Sequence, residues 1–164
     1  NTMSSDFYKV DIRSKSRSSI DNEALITMQA GKISLDGRYL VYKKDNSEYL
    51  WILDTEENDA KELLLSTDLN NVDWDYLNRL IFVTAQSSAA NTSSEYAGDM
   101  LVSSTISEDS FLFGYYIAED NAYYNILTYS GISSAPSDLV ITKNGKIIYF
   151  ATEEQYFQII LDKI

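Results

Sequence analysis

Ser34-Leu35-Asp36-Gly37-Arg38-Tyr39-Leu40-Val41-Tyr42 is the stretch that decides the fold. Asp36-Gly37 is turn chemistry, because glycine reaches positive φ without steric cost and an aspartate side chain caps nearby amides. The residues after it alternate as a strand does, and a second strand, Tyr49-Leu50-Trp51-Ile52-Leu53, follows a polar gap and ends at Asp54. Turn, strand, polar gap and strand together predict an antiparallel sheet.

Working outward, the layout recurs. Val72 to Thr84 repeats it, with Asn78-Arg79 standing where Gly37-Arg38 stood. A third copy is read at Ser107 to Ile117, with its turn near 108–111 and a following strand at Tyr123-Tyr124-Asn125-Ile126-Leu127-Thr128-Tyr129. A fourth runs from Thr142 to Ala151, with its turn at Asn144-Gly145-Lys146 and a following strand at Tyr156 to Leu161. Aligned at Arg38, Arg79, Phe111 and Lys146, the copies are 41, 32 and 35 residues apart. A strand-only unit of that period suits a propeller blade of four strands better than a helical solenoid, since one twisted sheet cannot cover its own two apolar faces. The expectation is an all-β chain, residues 1–164 forming one propeller-like domain or segment with about four repeat copies; a β-sandwich of irregular meanders is the alternative.

Elsewhere, Asp6 to Ile12 alternates as a half-buried strand, and the basic cluster Arg13 to Arg17 reads as a solvated turn between two strands. Leu25-Ile26-Thr27-Met28 is apolar enough for a buried inner strand. Asp59 to Leu65 would make a helix of only about two turns, which is marginal, so a loop followed by a strand at Leu63-Leu64-Leu65 is expected. Gln86 to Gly98, rich in small polar residues, is expected to be a surface loop; within it Asn91-Thr92-Ser93 is a glycosylation acceptor, meaningful only in a eukaryotic secretory pathway.

Composition narrows function mainly by exclusion. With 45% apolar residues, 13 tyrosines and a single proline, the chain is a packed and strand-rich protein. It carries 25 acidic against 13 basic residues, a net charge of −12. Such a surface repels phosphate backbones and anionic headgroups, so nucleic acid is not an expected partner. No apolar run is long enough to span a bilayer, and the first residues lack the pattern of a signal peptide. Histidine and cysteine are both absent, which removes disulfides, thiolate chemistry and histidine-based triads. A chain without thiols is indifferent to oxidation and is expected, on that ground, to work outside the cytoplasm.

Paired carboxylates are the remaining catalytic material. Asp73 and Asp75, two apart on a strand, share a face and stand beside Trp74, an arrangement suited to a sugar or a cation. The same residues are equally at home in turns, and no convincing catalytic constellation emerges, so a non-enzyme is expected. The loops Asp45 to Glu48 and Glu119 to Asn121 offer hard oxygens without the spacing of a calcium-binding loop; no metal or cofactor is expected. Trp51, Trp74, Tyr115, Tyr116, Tyr123 and Tyr124 are candidate ligand-binding aromatics, with packing between sheets as their other role.

The Ser34–Tyr42 turn and strand, followed by Tyr49 to Asp54, resemble the blade repeat of TolB-type and prolyl-oligopeptidase-type β-propellers, with Leu35 in place of the proline usual in that motif. Asp73-Trp74-Asp75 resembles the aromatic that precedes the turn in such blades, and Asn144-Gly145-Lys146 resembles the turn alone. The resemblance implies a propeller. The two ends, however, read as the same part of a blade, the third strand, so they do not complete one another. An open segment of a larger propeller is therefore expected, whose partner is a protein or the remainder of the propeller. The expected role is a protein- or peptide-binding scaffold; a propeller part of a peptidase-type hydrolase and a carbohydrate-binding propeller are the alternatives.

Overall fold

The computed structural model describes residues 7–11, 13–20, 28–63, 65, 67–85, 110–130, 134–153 and 155–161. Four antiparallel sheets follow one another along the chain. The first is a pair, β1 (Phe7–Val10) and β2 (Arg17–Ile20). The second is a meander of β3 (Met28–Ile33), β4 (Tyr39–Lys44), β5 (Leu50–Asp54) and β6 (Asp59–Glu62). The third is a meander of β7 (Val72–Trp74), β8 (Arg79–Ala85), β9 (Ser110–Ile117) and β10 (Ala122–Ser130). The fourth holds β11 (Ser137–Ile141), β12 (Ile147–Ala151) and β13 (Tyr156–Ile160).

Alternation explains how the sheets stack. On β8, Leu80 and Phe82 face the second sheet while Ile81 and Val83 face the fourth, and all four are buried. A strand covered on both faces reads as a continuous apolar run, which is why Leu80-Ile81-Phe82-Val83 has no polar interruption. The core is accordingly divided into layers. One layer joins Val41, Leu50 and Ile52 of the second sheet, and Leu63 just beyond its last strand, to Trp74, Phe82, Leu112 and Tyr116 of the third. The next joins Ile81, Val83 and Phe113 to Leu139, Ile148 and Phe150 of the fourth. A smaller layer sets Tyr42 and Leu53 against Ile20 of β2.

Beside one another at one edge of their sheets lie β3, β7 and β11. Side chains tie them through main-chain atoms: Lys32 Nζ donates to the Val72 carbonyl at 2.8 Å, Trp74 Nε1 donates to the Lys32 carbonyl at 2.9 Å, and the Ile141 amide donates to Asp73 Oδ2 at 3.0 Å.

Two expectations need correction. The third copy is not a separate blade: Ser110 and Phe111 already lie in β9, which pairs with β8 on one side and β10 on the other. The apolar run Phe111 to Ile117 imitates the strand after a turn, but residues 101–109 lie outside the described residues. The second correction concerns Asp59 to Glu62, which are neither helix nor loop but the outer strand β6, paired with β5 from Trp51↔Glu62 to Asp54↔Asp59; Leu63 follows it, its amide donating to the Leu50 carbonyl. Of the run expected as a buried inner strand, Leu25 to Thr27 lie outside the described residues, and Met28 stands at the start of β3. The Arg13–Arg17 segment does link β1 to β2, its amides at Arg13 and Ser14 donating to Asp11 Oδ1.

Candidate functional site

The turns that open β4, β8 and β12 share one design. In the first, the Gly37 amide donates to the Ser34 carbonyl at 2.9 Å, the Ser34 hydroxyl donates to Asp36 Oδ1 at 2.6 Å, and Asp36 Oδ1 also accepts from the Arg38 amide at 2.9 Å. Thr142, Asn144 and Gly145 reproduce it atom for atom, with Thr142 Oγ1 donating to Asn144 Oδ1 at 2.7 Å. In the middle turn Asp75 replaces the hydroxyl residue and supplies the acceptor itself, taking the Leu77 and Arg79 amides, each at 2.9 Å. Each turn needs a left-handed residue near its end, filled by Gly37 (φ 78°), Asn78 (φ 56°) and Gly145 (φ 68°). All three turns emerge at one end of the sheets, and the first two are joined there by the Asn78 side-chain Nδ2 donating to Asp36 Oδ2 at 2.6 Å.

A cleft of about 310 Å³ opens at this end between the second and third sheets. Tyr39, Ile52 and Ala118 contribute to its walls together with Arg38, Asp54, Glu57, Asp59, Lys61 and Glu119. Arg38 Nε and Nη2 both donate to Asp54 Oδ2, at 3.0 and 2.9 Å, and Nη1 reaches Glu119 Oε1 across the sheet boundary at 3.3 Å. Bonding to Asp54 raises the Arg38 pKa, keeping it charged. Burial works to raise the Asp54 carboxyl, but Arg38 and the amides of Glu56 and Glu57 outweigh it and hold the group below the usual carboxylate range.

A group whose folded pKa is depressed stabilises the fold fully above its unfolded value, about 3.9 for aspartate, and loses that contribution as pH falls through the folded value. Asp54→Asn is therefore expected to flatten the loss of stability below about pH 4, as read by urea unfolding at stepped pH. Parallel curves for the two proteins would remove Asp54 from the acid response.

The aromatics and carboxylates singled out in the sequence do not converge. Tyr116 and Tyr123 are a buried cross-strand pair in the layer between the second and third sheets, ring centroids 4.7 Å apart. Tyr115 and Tyr124 stack on the opposite face of that sheet at 4.9 Å, half-buried, with the Arg79 guanidinium over Tyr115. Trp74 is buried and stacked on Tyr39. Trp51 lies on the other face of the second sheet, half-buried beneath the Lys44 ammonium at 3.1 Å. Asp73 bonds the neighbouring sheet, and Asp75, with no exposed surface, pairs with Arg79 Nε at 2.6 Å. Asn91 lies outside the described residues. Among the described residues no group of three or more acidic side chains could hold a metal ion.

Sequence reading missed the Arg38–Asp54–Glu119 cleft. Two signals stood in view: a basic residue closing the turn, and an aspartate ending the strand that pairs beside it.

Stacked four-stranded antiparallel meanders, with their first strands side by side, define a run of β-propeller blades. Solved structures with this fold include TolB from Acinetobacter baumannii (TM-score 0.53, 12% identity, 95% of this chain and 35% of that one) and Kuenenia stuttgartiensis hydrazine synthase (TM-score 0.54, 12% identity, 99% and 48%). The β-propeller domain of the Trilobed protease from Pyrococcus furiosus is also similar (TM-score 0.49, 15% identity, 93% and 43%). The chain spans less than half the length of each. No protein-family model matches the sequence, and no curated protein matches it. The likeness shows the fold, antiparallel propeller blades, and among the described residues no sheet closes a ring. No described helix is long and apolar enough to cross a membrane.

Proposed function

We infer that this chain is a non-catalytic interaction module, an open run of propeller blades that holds a protein or peptide and is itself completed by further blades of a larger propeller. The observation that carries the reading is the outward face of the fourth sheet. Val140, Tyr149, Tyr156 and Ile160 point away from the core there and are 52, 43, 92 and 57% exposed. A sheet face of this composition is normally covered in a propeller, because each blade seals its neighbour. The opposite end offers a smaller face of the same kind, with Tyr8 and Val10 exposed on β1. Absence of histidine and cysteine, together with the commitment of Asp75 to its turn, supports a binding role over a catalytic one. An extracytoplasmic setting belongs to the same reading and is supported by the thiol-free composition.

Sedimentation tests it. The chain alone is expected to self-associate with rising concentration and to bind a hydrophobic dye, and the double substitution Tyr149→Glu and Ile160→Glu to suppress both. A parent chain that stays monomeric and dye-silent would sink the reading.

A further inference from the structure

The sheets that open with β3, β7 and β11 end, on the opposite side, at β6, β10 and β13. An outer strand presents a row of unpaired main-chain groups, and proteins normally blunt it with charge or with a bulge. Here β6 is spelled Asp59-Ala60-Lys61-Glu62, charged everywhere but at Ala60. The register of β10 against β9 shifts between Asn125 and Leu127. The strand β13 has neither device: Tyr156-Phe157-Gln158-Ile159-Ile160 carries no charge, and its register with β12 runs unbroken from Ala151↔Tyr156 to Ile147↔Ile160.

Hydrogen bonds at the two ends of β13 fix which way its main chain faces. The Leu161 amide donates to the Lys146 carbonyl at 2.7 Å and the Thr152 amide donates to the Gln155 carbonyl at 2.8 Å, so Gln155 and Leu161 turn their main chain towards β12. Direction alternates along an antiparallel strand, which sends the amides and carbonyls of Tyr156, Gln158 and Ile160 out to the open edge. Among the described residues no strand lies beyond them.

We propose that this edge pairs with β13 of a second copy of the chain, antiparallel about a two-fold axis at Gln158. A strand is its own partner only when one register suits both copies. Centring on Gln158 sets Gln158 against Gln158 and Tyr156 against Ile160, the very residues whose main chains point outward, and each such pair exchanges both its amide-to-carbonyl hydrogen bonds. On the exposed face the Tyr156 ring then meets the β-branched Ile160, a combination that stabilises sheets. On the other face Phe157, stacked on Phe150 with ring centroids 5.1 Å apart, meets Ile159; both are half-buried, and the added strand covers them further. Lack of charge on β13 matters because copies of a chain of net charge −12 repel one another elsewhere. An isologous contact of this kind closes on itself, so the product is a dimer and not a fibre.

The edge is a different surface from the sheet face assigned above to a neighbouring blade, so the proposal does not rest on that reading. Tyr156 and Ile160 belong to both surfaces, and the test therefore uses variants that touch one each. Sedimentation velocity on the full chain is the measurement. Val140→Glu with Tyr149→Glu charges the face, leaves β13 as it is, and is expected still to form the dimer. Gln158→Pro removes the outward amide at the axis without breaking a bond inside the sheet. In that face-charged background it is expected to weaken dimerisation at least tenfold, the scale of the hydrogen bonds lost from the two copies, with the circular-dichroism melt preserved. Gln158→Lys and Gln158→Glu, made separately in the same background, each set like charges opposite one another and should weaken it about fivefold. An equimolar mixture of those two chains should regain the lost affinity, a recovery that mere damage to the strand would not give.

A monomer at every concentration in the Val140→Glu, Tyr149→Glu chain overturns the proposal, as does an undiminished dimer with Gln158→Pro or no recovery on mixing. Association lost on charging the face but untouched by Gln158→Pro in the parent chain would refute the edge and leave the blade-docking reading standing. The reverse pattern would support the edge and count against blade docking alone.

Discussion

Asp75→Ala is expected to destabilise the chain by about 3–5 kcal/mol, the cost of breaking a buried ion pair by removing one partner. Asp75 has no exposed surface, its Oδ1 accepts the Leu77 and Arg79 amides, and its Oδ2 takes Arg79 Nε. The substitution orphans three donors and leaves a guanidinium that is only 11% exposed without its counter-charge. Asp75→Asn keeps an acceptor for the turn but not the charge, so it should fall between the parent and the alanine variant in urea midpoint. Adding Arg79→Met to Asp75→Asn should recover part of the loss, since the unpaired cation goes with it. A cost below about 1 kcal/mol for Asp75→Ala would show that the turn holds without this pair, contrary to the energetics of buried ion pairs.

Gly114→Ala is the second large effect. Gly114 sits in β9 between two strands, and a Cβ there would stand 2.6 Å from Phe82 Cζ and 2.6 Å from the Tyr124 carbonyl oxygen. The first obstacle is a ring with no exposed surface and the second is main chain, so neither can swing aside. Overpacking of this kind costs about 3 kcal/mol at the upper end of its usual range, and the entropy gained by stiffening the unfolded chain returns less than about 1 kcal/mol. A net loss of about 2 kcal/mol in chemical unfolding is expected. Phe82→Leu in the same chain should give back part of it, because the ring is one of the two obstacles. Additive losses in the double variant would place the strain wholly on the main chain of β10.

These two residues also mark how far the sequence could be read. Alternation announced β4, β5, β8 and β12 because each buries a face against a neighbour and no polar residue interrupts the apolar pattern. It failed at β6, an outer strand spelled Asp-Ala-Lys-Glu, whose pairing rests on main-chain bonds and leaves no apolar pattern to find. It also miscounted copies at β9, since a strand buried on both faces looks the same whether a turn or a long connection precedes it. Asp75 was legible as a turn former, but its burial was not. The Arg38–Asp54 cleft depends on which sheets become neighbours, and nothing local to either residue encodes Glu119, 81 positions from Arg38 in the chain.

The ties between β3, β7 and β11 reach from a side chain on one strand to the main chain of the next in every case. On the receiving side the contact is indifferent to residue type: Val72 contributes only its carbonyl and Ile141 only its amide. Half of each joint therefore places little demand on side-chain identity, proline at position 141 excepted, since it would remove the donating amide. That tolerance is a physical reason why the fold shared with TolB from Acinetobacter baumannii at 12% identity does not demand particular side chains on the receiving side of these joints.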